Sequence, residues 1–178
     1  MKPGTFSPFP ILAAGRITLR QLKPTDEAEI FTLRSDKRVL EHLDRPAAAT
    51  IADARQFIDN INAGIARDEW IYWGIRIHTE NHLIGTICLW QFSEAELKAE
   101  IGYELLPEYQ GKGLMSEALE IVIRFGFEAL KLRSIEAEVA PGNAASIKLL
   151  EKKSFVRTHF KNDAPDVIRY SLIKGDET

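Results

Sequence analysis

The run Gln110-Gly111-Lys112-Gly113-Leu114-Met115 places two glycines directly before a long amphipathic segment. The chemistry this arrangement supports is anion binding. The first N–H groups of a helix have no partner within it, and glycines let a phosphate approach the backbone. The spacing is neither the G-x-x-x-x-G-K-[ST] of a P-loop nor the G-x-G-x-x-G of a dinucleotide fold, so both are excluded. A helix entry that binds nothing is the competing reading of the two glycines alone. Further on, Glu136 and Glu138 alternate with Ile135, Ala137 and Val139, which puts both carboxylates on one strand face. That face borders a wet cleft, unless each carboxylate merely pairs with a nearby Arg or Lys. Asn143 directly precedes a helical run, where it suits an N-cap. Cys88, the only cysteine, lies in Ile87-Cys88-Leu89 and reads as a buried structural thiol. His78 and His82 have the spacing of metal ligands on a helix. They fall in a predicted turn without an H-E-x-x-H pattern, so no metal is assigned.

These groups need a scaffold, and its elements can be read in order. A strand is predicted over 16–22, then a helix opened by Pro24-Thr25-Asp26 and running to about 35. A second helix spans 51–66, where Ile51, Ala54, Phe57, Ile58, Ile61 and Ile65 recur at helical spacing. Strands at 70–77 and 83–92 flank a turn at 78–82, and a third strand covers 99–106. The clearest helix is 113–129, with Leu114, Ala118, Ile121, Val122 and Phe125 in one apolar stripe. A strand at 134–140, a helix at 144–153 and strands at 155–160 and 167–173 complete the chain. Residues 1–15 read as an irregular arm rich in Pro and Gly, and 175–178 as a short polar tail. One domain fills 16–174. Successive hairpins imply an antiparallel portion, and the long helix between two strands implies a parallel crossover. The class is mixed α+β, with seven strands and about four helices.

Length and composition set the outer limits. The 178 residues suffice for one packed domain. With 45% hydrophobic and 28% charged residues, the chain is neither disordered nor collagen-like. A net charge of -3 argues against general nucleic-acid binding. A single cysteine forbids an intrachain disulfide and fits a reducing compartment. No apolar run reaches the ~18 residues of a membrane span, and the first residues lack a signal-peptide core. The expectation is a cytoplasmic protein that does not bind membranes.

Two segments together carry a family resemblance. Ile101-Gly102-Tyr103-Glu104-Leu105-Leu106-Pro107 followed by Tyr109-Gln110-Gly111-Lys112-Gly113-Leu114-Met115-Ser116-Glu117-Ala118-Leu119 resembles the acetyl-CoA-binding core of the GCN5-related N-acetyltransferases (GNAT). Asn143-Ala144-Ala145-Ser146-Ile147-Lys148-Leu149-Leu150-Glu151-Lys152-Lys153-Ser154-Phe155 is similar to the family's N-x-x-S-x-x-L-x-E-K-x-G-F segment. The match is closer to the branch with the ribosomal-protein N-acetyltransferases RimJ and RimL. Correct order and spacing make the pair specific, and the element order fits over 16–173. The resemblance implies a splayed, mostly antiparallel seven-stranded sheet. It also implies acetyl-CoA as acyl donor and a primary amine as acceptor, with no metal.

The resemblance also distributes roles. Gln110, Gly111, Lys112, Gly113, Leu114 and Met115 would hold the coenzyme pyrophosphate, mostly through backbone amides. The family pattern has a small residue where this chain has Met115. Tyr103, Glu104 and Leu105 would pair with the pantetheine arm, and an N–H, that of Leu105 foremost, would stabilise the oxyanion. Asn143 would bond the same arm. Ser146, or a water on it, would protonate the thiolate, because Leu150 stands where relatives place a tyrosine acid. An amine must lose a proton to attack, and Glu100 is favoured as base over Glu138, with a water relay as the third option. His42, Trp90 and Phe92 would line the acceptor pocket. Ser154 replaces a glycine and would carry a left-handed conformation at a cost of about 1 kcal/mol. The acceptor implied is a protein or peptide N-terminal amine; the alternatives are a small amine, or a coenzyme-binding module without catalysis. A homodimer is compatible with the resemblance.

Overall fold

The computed structural model describes residues 5–43, 45–158 and 167–175. In chain order, the elements are β1 (Leu12–Ala14), β2 (Ile17–Arg20), α1 (Glu27–Ser35), α2 (Lys37–Leu40), α3 (Ile51–Ala66), β3 (Ile71–Ile77), β4 (Leu83–Ser93) and β5 (Lys98–Leu105). Then come α4 (Leu114–Glu128), β6 (Ser134–Val139), α5 (Ala144–Lys152), β7 (Val156–Thr158) and β8 (Ile168–Ile173). One sheet takes the order β1-β2-β3-β4-β5-β6-β8-β7, and only β5 and β6 run parallel. The fold is the mixed, mostly antiparallel α+β architecture expected, with two differences in count. The sheet has eight strands rather than seven, because Leu12–Ala14, placed by sequence in an irregular arm, pairs with β2. The short α2 adds a fifth helix within a stretch read as connection. The strand expected at 155–160 is seen as Val156–Thr158; residues 159 and 160 lie outside the described residues, as do 176–178 of the predicted tail.

Alternation along the strands sorts the two faces. Trp73, fully buried on β3, meets Phe125 of α4 edge-on at 5.6 Å. Its neighbour Tyr72 points the other way and meets Phe57 of α3 at 5.7 Å. The α4 stripe buries Leu114, Ala118, Ile121 and Val122, and α3 buries Ala54, Ile58, Ile61 and Ile65. The predicted apolar periodicity therefore names the packed faces, except at Ile51, which is exposed at the start of α3. Thr50 caps α3: its hydroxyl accepts from the Asp53 N–H (3.2 Å), and the Asp53 carboxylate accepts from the Thr50 N–H (2.9 Å).

The feature that shapes the site lies between β5 and β6. They pair at Lys98 with Ser134, Ala99 with Ile135 and Glu100 with Glu136, and no further. Beyond this last rung β5 continues to Leu105 and β6 to Val139. The sheet therefore opens into a wedge. Just past β5, Leu106 gives its N–H to the Ile84 carbonyl of β4 (2.9 Å). By alternation, the N–H groups of Tyr103 and Leu105 turn away from β4, towards the gap.

Ser154 follows α5 with φ 64°, the left-handed conformation expected of it. Its N–H bonds Glu151 and that of Phe155 bonds Leu150, which closes the helix end. The Ser154→Gly substitution removes the Cβ strain but frees the unfolded chain. The expected result is a net gain of about 0.5–1 kcal/mol in unfolding free energy, read from the urea midpoint.

Candidate functional site

Two clefts meet at the wedge. The larger, about 700 Å³, runs from Leu105 past Gln110, Gly111 and Gly113 to Ser146 and Leu149. The smaller, about 470 Å³, lies on the α3 side and is lined by Glu100, Gly102, Glu138, Trp90, Cys88 and Tyr72, among others. His42, Tyr103, Glu104, Asn143 and Ser146 line both.

The glycine loop forms the floor of the larger cleft. Gly111 (φ 71°) and Gly113 (φ 80°) both take left-handed backbone, and a Cβ on Gly111 would meet nothing within 4 Å. The loop is thus open exactly where glycine permits the turn, and Gly113 is the N-cap of α4. The first N–H groups of α4 have no intrahelical acceptor, so an anion fits there. Leu114, Met115 and Gln110 lie on the same wall, and the Gln110 side chain donates to the Leu105 carbonyl (2.9 Å). Lys112 does not line the cleft. Its carbonyl accepts from Arg16 Nη2 (2.8 Å), and its ammonium sits 5.5 Å from the Tyr109 ring. Arg16 also donates from Nε and from its backbone N–H to Glu117 (2.7 and 3.0 Å), so it straps the loop to α4 from outside.

Asn143 caps α5: its Oδ1 accepts from the Ser146 N–H at 3.1 Å. This fixes Ser146 at the mouth of the wedge. The Tyr103 hydroxyl is buried there without a hydrogen bond of good geometry among the described residues. Ser146 is near enough to pull its pKa down, but burial dominates and pushes it up to about 12.

The smaller cleft holds most of the charge. Burial raises the Glu100 carboxyl to about 7, with Glu138 and Glu136 repelling its charge and Trp90 and Arg169 partly opposing. Glu138 is tied to Arg169 (2.9 Å) and Glu136 to Lys98 (3.2 Å). The ion-pair alternative thus holds for those two, while the face they share still borders a cleft. Glu104 is buried at the other end. Its Oε2 pairs with Arg45 Nη2 and its Oε1 accepts from Thr86 (3.3 Å), whose hydroxyl is 2.9 Å from that of Tyr72. Burial still holds Glu104 above the usual carboxylate range, against the pull of Arg45 and Arg34.

Trp90 stands at the cleft, 39% exposed. Phe92 does not reach it. Trp90 pairs with Glu100 but Ser93 pairs with Lys98, so β4 carries one extra residue, at Gln91 with φ 49°. That bulge turns Phe92 to the opposite face, where its ring lies 6.0 Å from Phe6. Sequence reading also missed Arg34, Arg45, Thr86 and the Tyr103 hydroxyl. No spacing flags them, because they converge only in the tertiary fold, from α1, the connection after α2, β4 and β5. Of the two histidines at the β3–β4 turn, His82 bonds the Tyr109 hydroxyl (2.8 Å) and pairs with Glu80 (2.9 Å).

The wedge thus opens onto a cleft at each side, with the glycine loop on the wall of the larger one. The chain matches the acetyltransferase (GNAT) domain family over residues 16–156. It is 34% identical over 176 residues to the uncharacterized N-acetyltransferase YoaA of Bacillus subtilis, covering 95% of this chain and 99% of that one. The chain belongs to the GNAT family of N-acetyltransferases. A GNAT-family acetyltransferase from Bacillus anthracis superposes with a TM-score of 0.80 at 26% identity, covering 92% of this chain and 98% of the other. The RimL ribosomal L7/L12 alpha-N-protein acetyltransferase in complex with coenzyme A shares the fold, with a TM-score of 0.79 at 20% identity, over 92% of this chain and 98% of that one. Among the described residues, no helix is long and apolar enough to cross a membrane.

Cys88 borders the smaller cleft rather than lying sealed in the core. Burial, the largest effect, raises its pKa to about 12, so almost no thiolate is present at neutral pH. Labelling with a disulfide reagent at pH 8 is expected to be at least about a hundredfold slower in the native protein than in urea.

Proposed function

We propose that the protein moves the acetyl group of acetyl-CoA to a primary amine at the N-terminus of a peptide or protein, by direct attack on the thioester at the β5–β6 wedge. The observation that carries this reading is the meeting of the two clefts, which share Tyr103, Asn143 and Ser146 on their walls. A donor entering from the loop side and an amine entering from the Glu100 side would meet there. The presence of coenzyme A in RimL, a protein of this fold, supports the donor.

In this reading the amides at Gly111, Gly113, Leu114 and Met115 take the pyrophosphate. Lys112 contributes through its backbone alone. The N–H groups of Tyr103 and Leu105 take the pantetheine arm, and the Leu105 N–H meets the charge that develops on the thioester oxygen. Asn143 adds a bond to the same arm. Glu100 removes the amine proton, directly or through water. It has no ion-pair partner among the described residues, whereas Glu138 is held by Arg169. The new C–N bond forms as the C–S bond breaks. Ser146, or a water on it beside Tyr103, protonates the thiolate and recovers its proton from solvent. The raised pKa of Cys88 argues against an acyl-cysteine. A second reading, a small-molecule amine, is favoured by the size of the smaller cleft, which at about 470 Å³ is that of a small-ligand site. Turnover of acetyl-CoA against N-terminal peptides and small amines separates the two.

Glu100 acts as a base only when ionised, and its pKa is raised to about 7. The kcat/KM of the wild type is expected to climb as pH rises through about 7. Glu100→Gln is expected to lower it about a hundredfold and to remove that limb, leaving only the limb of the amine itself. An unchanged profile would transfer the base role to Glu138 or water. Loss of the strap in Arg16→Ala is expected to raise the KM for acetyl-CoA about two- to fivefold with little change in kcat, as suits a half-exposed ion pair.

A further inference from the structure

We infer that the smaller cleft selects acceptors that carry a carboxylate as well as the reacting amine, and that Arg45 and Arg34 receive the carboxylate. The inference rests on the amine-acetylation reading above and names the class of acceptor.

Two guanidiniums lie near one carboxylate at the Glu104 end of the cleft, and only Arg45 pairs with it. Arg45 gives Nη2 to Glu104, but its Nη1 is buried with no hydrogen-bond partner among the described residues. Arg34 lies over the Phe57 ring, 3.9 Å from its centroid, rather than on a carboxylate. Thr86 already occupies the other oxygen of Glu104. A buried guanidinium N–H without an acceptor is costly, and beside two positive charges an anionic acceptor satisfies it best. A carboxylate matches the planar fork of a guanidinium.

The other end of the cleft has the opposite polarity. Lys98 and Arg169 neutralise Glu136 and Glu138, which leaves Glu100 to face the amine. Between the two ends β5 offers Gly102, which has no side chain; a Cβ there would come within 3.2 Å of Cys88 Sγ. Phe57, Tyr72 and Trp90 form apolar walls around this bare stretch. Glu100 and Glu104 are separated by about 13 Å of strand, shortened by the side chains that reach inward from each end. The ligand that fits has an amine, several intervening bonds and a carboxylate. An ω-amino acid meets that description, and so does a peptide N-terminus with Asp or Glu among its first residues.

The test compares each carboxylate with its carboxamide. One arm uses ω-amino acids of increasing length and the other uses short peptides with Asp or Glu against Asn or Gln near the N-terminus. The arm that turns over identifies the source of the carboxylate. In the wild type, kcat/KM is expected to favour the carboxylate by at least about tenfold. The ratio is expected to fall towards one in Arg34→Gln and in the paired Arg45→Gln, Glu104→Gln variant, which removes both members of the buried ion pair together. Binding is also read without turnover, by calorimetric titration with the N-acetylated carboxylates and their amides. Equal use of carboxylate and carboxamide, or a preference that survives in both variants, overturns the inference and leaves the transferase reading standing. Carboxylate binding that depends on the arginines, with no amine acetylated, supports the anion site and overturns the transferase reading instead.

Discussion

The rest of this structure depends on a hydrogen-bond ladder that stops. β5 and β6 pair through Glu100 and Glu136 and then part, although both strands run on. A sheet interior does not normally leave backbone donors and acceptors facing an empty gap, because unpaired buried groups are costly. Here one is answered locally, by Gln110 on the Leu105 carbonyl. The others, on Tyr103 and Leu105, point where an extended ligand arm could pair like a strand. The long α4 crossover makes the wedge possible. It lets β6 return parallel to β5 without a tight turn to force full pairing.

The wedge also explains why chemistry gathers where it does. It is a hole through an otherwise closed layer, so clefts on the two faces can meet there without crossing the core. The loop that starts α4 lies at one mouth and the cap of α5 at the other edge. The conformation of each is fixed by short-range bonds: left-handed glycines and the Arg16 strap for the first, Asn143 on Ser146 for the second. Site geometry therefore rests on local rules, while the union of the two clefts rests on sheet topology.

That division governs what could be read from the chain alone. The glycine loop and the Asn143 cap were readable because their determinants lie within a few residues. The α3 and α4 stripes were readable for the same reason, whereas the left-handed Ser154 followed from the family resemblance alone. The three-residue β1 was not, since Leu12-Ala13-Ala14 carries no alternation and follows a run of prolines. Phe92 was misplaced because a single extra residue at Gln91 reverses the face of everything after it, and a bulge has no composition signal. The Arg34, Arg45 and Glu104 cluster was invisible for a different reason. Its members come from a helix, a connection and a strand, and each alone is an ordinary charged residue.

The proposed selectivity of the second cleft rests on the burial of Glu104. An exposed Glu104 would neutralise one arginine in water, and the pair would add little. Held inside beside Thr86 and Tyr72, it anchors Arg45 in place and desolvates the neighbouring guanidinium groups. Burial acts on Arg34 as well and lowers its pKa, with Arg45 repelling it. Two like charges are thus kept close around a single carboxylate, and the proposed acceptor would bring a second. At the opposite end, burial disfavours the charge on Glu100, and an incoming ammonium favours it. In the proposal, a ligand of matching polarity stabilises both ends of the cleft, and the selectivity follows from the cost of leaving both ends unmatched.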